Sequence, residues 1–178
     1  MMKYIKDSLA LSALVKSKMA TDDPNQLETL KEQLKDRFGV PVGVHMTGIP
    51  LAVSTLLAIF CYAMLQVSLW LLLFRWLGLP VMMGVFIAAI VYCLVVMSTM
   101  FLTTRGSLPG YKLHIFVITL TGIMSIIYFI WTGISLLYGP VENYTPQITS
   151  LLGLGCFFLN IMWMNSSIFY RSIALTLH

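Results

Sequence analysis

The sequence predicts an all-α membrane protein: a four-transmembrane-helix bundle preceded by a cytosolic N-terminal helical segment. The first indication is composition, since 58% of the 178 residues are hydrophobic and 10% are charged, against about a quarter charged in soluble domains. The second is four uncharged stretches, each long enough at helical rise to cross a hydrocarbon core of about 30 Å. The third is an unequal distribution of Lys and Arg between the segments that flank those stretches.

Residues 1–20 are predicted to form an amphipathic helix. The apolar side would carry Ile5, Leu9, Leu11, Leu14 and Val15, and the lysines, mostly off that side, are Lys3, Lys6, Lys16 and Lys18. Such a helix would lie on the membrane surface, attracted to anionic headgroups by about 1 kcal/mol per basic residue. A partly frayed tail is the alternative interpretation.

A second helix is predicted after residue 23. Asp23 can cap it, Pro24 suits its first turn, Gln26 completes a capping-box spacing, and Gly39 ends it. Apolar residues recur along it at spacings of three, four and four, which indicates one apolar face. This face consists of Leu27, Leu30, Leu34 and Phe38. Nothing else in the water-exposed chain is large enough to bury this face alone, so it must pack on the first helix, on the membrane, on another copy of the chain or on a different protein. We interpret it as a partner-binding surface.

The chain is predicted to divide into a cytosolic segment, residues 1–46, and a transmembrane domain, residues 47–178. Between them, Val40 to Pro50 contains two prolines and two glycines and is predicted to form an interfacial elbow. The four spans are placed at about residues 51–74, 81–103, 113–138 and 148–170.

Orientation follows from the basic residues. Seven of the eleven precede the first span, two lie between the second and third spans, and Arg171 follows the fourth. Arg75 alone lies on the other side. Because cytoplasmic loops are enriched in Lys and Arg, both termini are predicted to be cytoplasmic, in the cell inner membrane.

No Asp, Glu, Lys or Arg falls within a predicted span, which disfavours an ion-coupled transporter and acid–base catalysis inside the bilayer. Polar side chains instead follow one side of each of the last two spans. They predict an intramembrane polar seam between these helices, formed by Ser125, Tyr128, Thr132, Asn160, Asn165 and Ser167. A hydrophilic path lined by the same faces is the alternative.

Neither a cofactor nor a metal ion is predicted. Cys61, Cys93 and Cys156 have no metal-ligand spacing, and His45 and His114 lack a third ligand nearby. No phosphate-binding loop, serine-hydrolase motif or zinc-protease motif is present. The basic residues are read as orientation charges, so no direct contact with nucleic acid is expected.

Three functional hypotheses result. The leading one is a non-catalytic membrane protein that acts on another membrane protein, or on copies of itself, as an accessory subunit or as an immunity or exclusion factor. The second is an oligomeric channel or small-solute permease lined by the polar faces of spans three and four. The third, an enzyme acting on a lipid, would have Tyr111, His114 and Arg105 near the membrane interface to work with.

Overall fold

The computed structural model describes residues 3–19, 29, 32–33, 45–77, 81–138 and 144–176. Nearly all of these residues are helical, and none of them lies in a strand. Four helices are long and apolar enough to cross a membrane, with candidate spans at Gly48–Gln66, Met82–Thr104, Leu108–Tyr138 and Thr145–Met164. The predicted fold class, an all-α membrane protein with four membrane-spanning helices, is therefore confirmed.

Six helices are described. They are α1 (Lys3–Met19), α2 (His45–Leu77), α3 (Val81–Thr104), α4 (Leu108–Tyr138), α5 (Thr145–Met164) and α6 (Ser167–Thr176). The predicted spans fall on α2 to α5. The predicted apolar face Leu27, Leu30, Leu34 and Phe38 lies outside the described residues. The described residues of that segment, Thr29, Glu32 and Gln33, are helical and exposed.

The helix α2 begins earlier than predicted. The elbow was expected to extend to Pro50, but α2 starts at His45 and contains that proline. Pro50 is the sixth residue of α2, so its missing N–H removes one intrahelical hydrogen bond within the first two turns. The carbonyl of Pro50 accepts a hydrogen bond from the indole Nε1 of Trp163 at 2.8 Å.

The helix α4 also begins earlier, at Leu108, while the third span was predicted from residue 113. Its start is fixed by capping, because the Ser107 hydroxyl accepts a hydrogen bond from the N–H of Gly110 at 3.3 Å. The preceding turn contains Gly106 at a φ of 76°, a conformation that favours glycine. Hydrophobicity marks the apolar part of a span, whereas the cap marks the helix end.

The last span ends earlier than the predicted residue 170. The helix α5 stops at Met164, and Asn165 and Ser166 form a turn before α6. The Ser166 hydroxyl caps α6 by accepting a hydrogen bond from the N–H of Phe169 at 3.2 Å. This C-terminal helix was not predicted, since the fourth span was placed at about residues 148–170.

The chain forms two compact units. The first unit comprises Met1–Ser54, Ser98–His114 and Ile161–His178, and the second comprises Thr55–Met97 and Ile115–Asn160. In the first unit, α1 packs against α6. Side chains buried in the first unit include Ile5, Ser8, Val15, Tyr111, Phe169 and Ile173. Those buried in the second unit include Ala58, Cys61, Leu65, Ser125, Thr132 and Asn160.

The buried face of α1 differs from the predicted apolar side. Residues Lys3–Met19 are helical throughout, as the amphipathic-helix interpretation expects. Ile5 and Val15 are buried, but so is Ser8, whereas Leu14 is 43% exposed. Ser8 is buried because its hydroxyl bonds to the Tyr111 hydroxyl of the first unit. The spacing of apolar residues does not reveal this partner.

Candidate functional site

The first unit contains a buried histidine, His114 on α4, with no exposed surface. Its Nδ1 lies 3.0 Å from the Thr99 hydroxyl and its Nε2 lies 3.4 Å from the Ser54 hydroxyl. A neutral imidazole has one donor and one acceptor, and a hydroxyl can serve either. Both ring nitrogens therefore face hydroxyl partners, which suits a structural histidine at the meeting point of α2, α3 and α4.

A second buried pair attaches α1 to α4. The hydroxyls of Ser8 and Tyr111 are 2.7 Å apart, and Ser8 also donates a hydrogen bond to the Ile5 carbonyl at 2.9 Å. Since Ser8 has a single proton and gives it to Ile5, Tyr111 is the donor in the pair. The Tyr111 ring also lies 6.5 Å from the Phe169 ring of α6.

The turn before α6 holds the beginning of α1. The side-chain oxygen of Asn165 accepts a hydrogen bond from the N–H of Tyr4 at 3.2 Å. This N–H lies in the first turn of α1 and has no acceptor within its own helix. The Tyr4 ring also lies 6.0 Å from the Tyr170 ring. Thus Asn165 caps another helix from within the first unit, and Ser167 is exposed at the start of α6.

The other four predicted seam residues lie in the second unit, where α4 and α5 meet. Ser125, Thr132 and Asn160 are buried, and Tyr128 is half-buried. Thr132 donates a hydrogen bond to the Ser150 hydroxyl at 2.9 Å, and the hydroxyls of Tyr128 and Thr149 are 3.4 Å apart. The structure thus groups four of the six predicted residues and places Asn165 and Ser167 in the first unit.

Close packing accompanies these hydrogen bonds. A Cβ placed at Gly153 would lie 3.4 Å from the Ser125 hydroxyl and 3.6 Å from the Cys61 carbonyl, which are ordinary contacts. A Cβ at Gly122 would instead overlap the Phe157 ring. The absence of a side chain at Gly122 therefore leaves the space on α4 that the Phe157 ring of α5 occupies.

The sequence analysis missed an aromatic cluster on α2 and α3. The rings of Tyr62 and Tyr92 stack with centroids 4.0 Å apart and an interplanar angle of 9°. The Tyr92 hydroxyl lies 2.8 Å from the Thr121 hydroxyl and 3.3 Å from the Ala58 carbonyl oxygen. The Trp70 indole donates to the Tyr62 hydroxyl at 3.4 Å. Tyrosines in the middle of apolar spans signal such partners, because a buried Tyr hydroxyl usually finds one.

This cluster borders a groove of about 690 Å³ in the second unit, whose lining is almost entirely apolar. The helix α3 contributes Gly84 and Ala88, two small residues four positions apart. The remaining lining residues are Tyr62, Trp70, Met83, Ile87, Val91, Tyr92, Val95, Val117, Leu120 and Thr121.

The residues of the lipid-enzyme hypothesis have different environments. Tyr111 and His114 are buried and bonded to hydroxyls, whereas Arg105 is exposed, with its guanidinium 4.3 Å from the centre of the Phe101 ring. Within the described part of the chain, no group of three or more His, Cys, Asp and Glu side chains could hold a metal ion.

Comparison with known proteins gives no relative from which a role for these residues can be taken. No protein-family model, curated protein or solved structure matches the chain significantly.

Proposed function

We propose that the chain is a non-catalytic membrane protein that acts by binding another membrane protein within the bilayer. It would serve as an accessory subunit of a membrane assembly, or as an immunity or exclusion factor. In this proposal it resides in the inner membrane with both termini in the cytoplasm, as the distribution of Lys and Arg indicates. The observation that carries the proposal is the groove beside α3, together with the exposure of that helix.

The helix α3 buries little of its surface. In the membrane-spanning part of α3, 17% of the most apolar stretch is buried inside the protein, compared with 39% for the corresponding stretch of α2. Its exposed side chains are large, including Met82 at 68%, Phe86 at 64% and Leu94 at 62%. Methionine adapts its shape to different neighbours, so a surface rich in it suits contact with another protein.

Small residues beside this surface allow close approach. Transmembrane helices associate through van der Waals packing, and small residues four positions apart let two backbones come near each other. Gly84 and Ala88 have this spacing and line the groove. A partner helix resting on α3 would place its side chains between Met83, Ile87 and Val91.

Two of the buried hydroxyl pairs support this proposal over the channel hypothesis. Thr132 bonds to Ser150 and Tyr92 lies against Thr121, so these hydroxyls are used within one copy of the chain. A path lined by the same hydroxyls would require their hydrogen bonds to exchange for water. Reconstituted protein that passes a small solute, with the flux lost in Asn160→Leu, would favour the channel hypothesis.

The decisive experiment fills the groove. A Gly84→Ile, Ala88→Ile variant should insert into the membrane normally but lose its partner during purification in mild detergent. Gly155→Ile is the matched control, because Gly155 is exposed and a Cβ added there meets nothing within 4 Å. Equal partner recovery from the groove variant, the control and the unchanged protein would contradict the proposal.

A further inference from the structure

Exposed basic side chains are concentrated in the first unit. The described Lys and Arg side chains are Lys3, Lys6, Lys16, Arg105, Lys112 and Arg171, and all six are exposed. All six belong to the first unit. The acidic side chains described there are Asp7, which is half-buried, and Glu32. The described surface of this unit therefore carries an excess of positive charge.

Arg105 occupies a defined position at the end of a membrane-spanning helix. It follows Thr104, the last residue of α3, and its guanidinium lies over the Phe101 ring. That ring is 55% exposed near the end of a helix that is long and apolar enough to cross a membrane. A guanidinium at the end of such a span is expected to lie at headgroup depth. Its planar fork of N–H donors matches the geometry of a phosphate.

The hydrogen bonds of α1 keep its basic side turned outward. Ser8 is hydrogen-bonded to Tyr111 and the N–H of Tyr4 to Asn165, so one side of α1 packs against the other helices of the first unit. Lys3 and Lys6 lie on the opposite side and are exposed. Lysine stems can lie along an apolar boundary while their ammonium groups reach the headgroup layer.

We propose that the first unit binds anionic phospholipid headgroups, and that Arg105, held over Phe101, is a phosphate-contacting residue. Exposed cations on α1, at the α3–α4 turn and on α6 complement the negative surface of an anionic leaflet. The proposal does not rest on the groove, whose lining residues belong to the second unit.

The test measures thermal unfolding of the purified full-length chain in neutral detergent micelles. Phosphatidylglycerol or phosphatidylcholine is added at equal mole fraction. Phosphatidylglycerol should raise the unfolding midpoint above that in phosphatidylcholine. Arg105→Gln and Lys112→Gln should each remove roughly 2–4 °C of that difference. Arg75→Gln, which neutralises the basic residue beyond the first span, is the matched control and should leave the difference unchanged.

Two further arms separate the possible causes. Phe101→Leu keeps an apolar side chain but removes the ring beneath the guanidinium, and it should reduce the effect of phosphatidylglycerol as Arg105→Gln does. Inorganic phosphate at the same phosphate concentration should not shift the midpoint. Equal midpoints in the two lipids, a full lipid difference in Arg105→Gln, or a shift reproduced by inorganic phosphate would each overturn the proposal.

Discussion

The hydroxyls of Ser8 and Tyr111 meet at 2.7 Å across 103 residues of sequence, and both side chains are buried. The two ends of this hydrogen bond are not equivalent. Ser8 also donates to the Ile5 carbonyl, whereas no second partner is described for the Tyr111 hydroxyl. The bond joins α1 to α4. Loss of the Ser8 hydroxyl would leave the Tyr111 hydroxyl without its partner, whereas loss of the Tyr111 hydroxyl would leave Ser8 bonded to Ile5.

Removing Ser8 should cost more stability than removing the tyrosine hydroxyl. Ser8→Ala leaves a buried phenol without its acceptor, which costs about 1–3 kcal/mol. Tyr111→Phe leaves Ser8 bonded to Ile5 and should cost about 1 kcal/mol. Denaturant unfolding in detergent measures both changes, with the exposed Ser17→Ala as the control on the same helix. Equal losses from the two variants would show that the bond is not asymmetric.

Adding one methyl group at Gly122 should destabilise the second unit. The new Cβ would overlap the Phe157 ring, and overpacking of this kind costs about 1–3 kcal/mol. Gly133→Ala, where nothing lies within 4 Å, should be neutral or slightly stabilising because alanine is the better helix former. Thermal unfolding compares the two variants. Combining Gly122→Ala with Phe157→Leu should recover part of the loss, and no recovery would contradict the contact.

Thr99 should stabilise the fold through His114. Thr99→Val removes the hydroxyl 3.0 Å from Nδ1 and leaves that nitrogen buried without this partner, at a cost of about 1–3 kcal/mol. Thr119→Val is the control, since Thr119 is exposed and bonds only to the Ile115 carbonyl of its own helix. Urea titration in detergent should show a lower midpoint for the first variant alone. Matching midpoints would mean that the imidazole does not depend on Thr99.

The predicted apolar face of residues 27–38 should be required for partner binding. Leu30→Asp combined with Leu34→Asp places charge on that face and should abolish recovery of the partner, while the spans still insert. Gln33→Asp adds charge in the same segment at an exposed helical position and should have no effect. Co-purification in mild detergent gives the readout. Undiminished recovery from the double variant would remove this face from the proposal.

The proposed orientation makes a prediction about enzyme fusions. Alkaline phosphatase, which is active only outside the cytoplasm, should be inactive when fused after His178. The same enzyme inserted between α2 and α3 should be active, because that connection lies on the opposite side of one span. Activity at both positions, or only at the C-terminus, would reverse or exclude the proposed orientation.

The four spans were predictable because lipid solvation requires long uncharged helices, and this requirement is visible in composition. Helix ends were less predictable, since they depend on individual caps such as Ser107 and Ser166. The helix α6 was not predicted. Phe169 and Ile173 have the spacing of one helix face, but the apolar residues of α6 follow directly on those of the preceding span and were read as part of it.

The polar residues, too, were predicted in part: their helix faces were predictable, but their partners were not. Spacing placed Ser125, Thr132 and Asn160 on helix faces that are buried in the second unit. It did not pair Ser8 with Tyr111, or stack Tyr62 on Tyr92, because these contacts join positions far apart in sequence. A single sequence gives helix faces through periodicity, but it does not state which faces meet.

The capping of α1 by Asn165 has a consequence for biosynthesis. Tyr111 and Asn165 bond to α1 and are both translated after it, and Asn165, like α6, follows the final span. During elongation the ribosome thus releases a first helix whose binding residues have not yet been made. A nascent chain stopped before Asn165 would lack the acceptor for the N–H of Tyr4 and all of α6, so the docking of α1 is complete only after the last span has been translated.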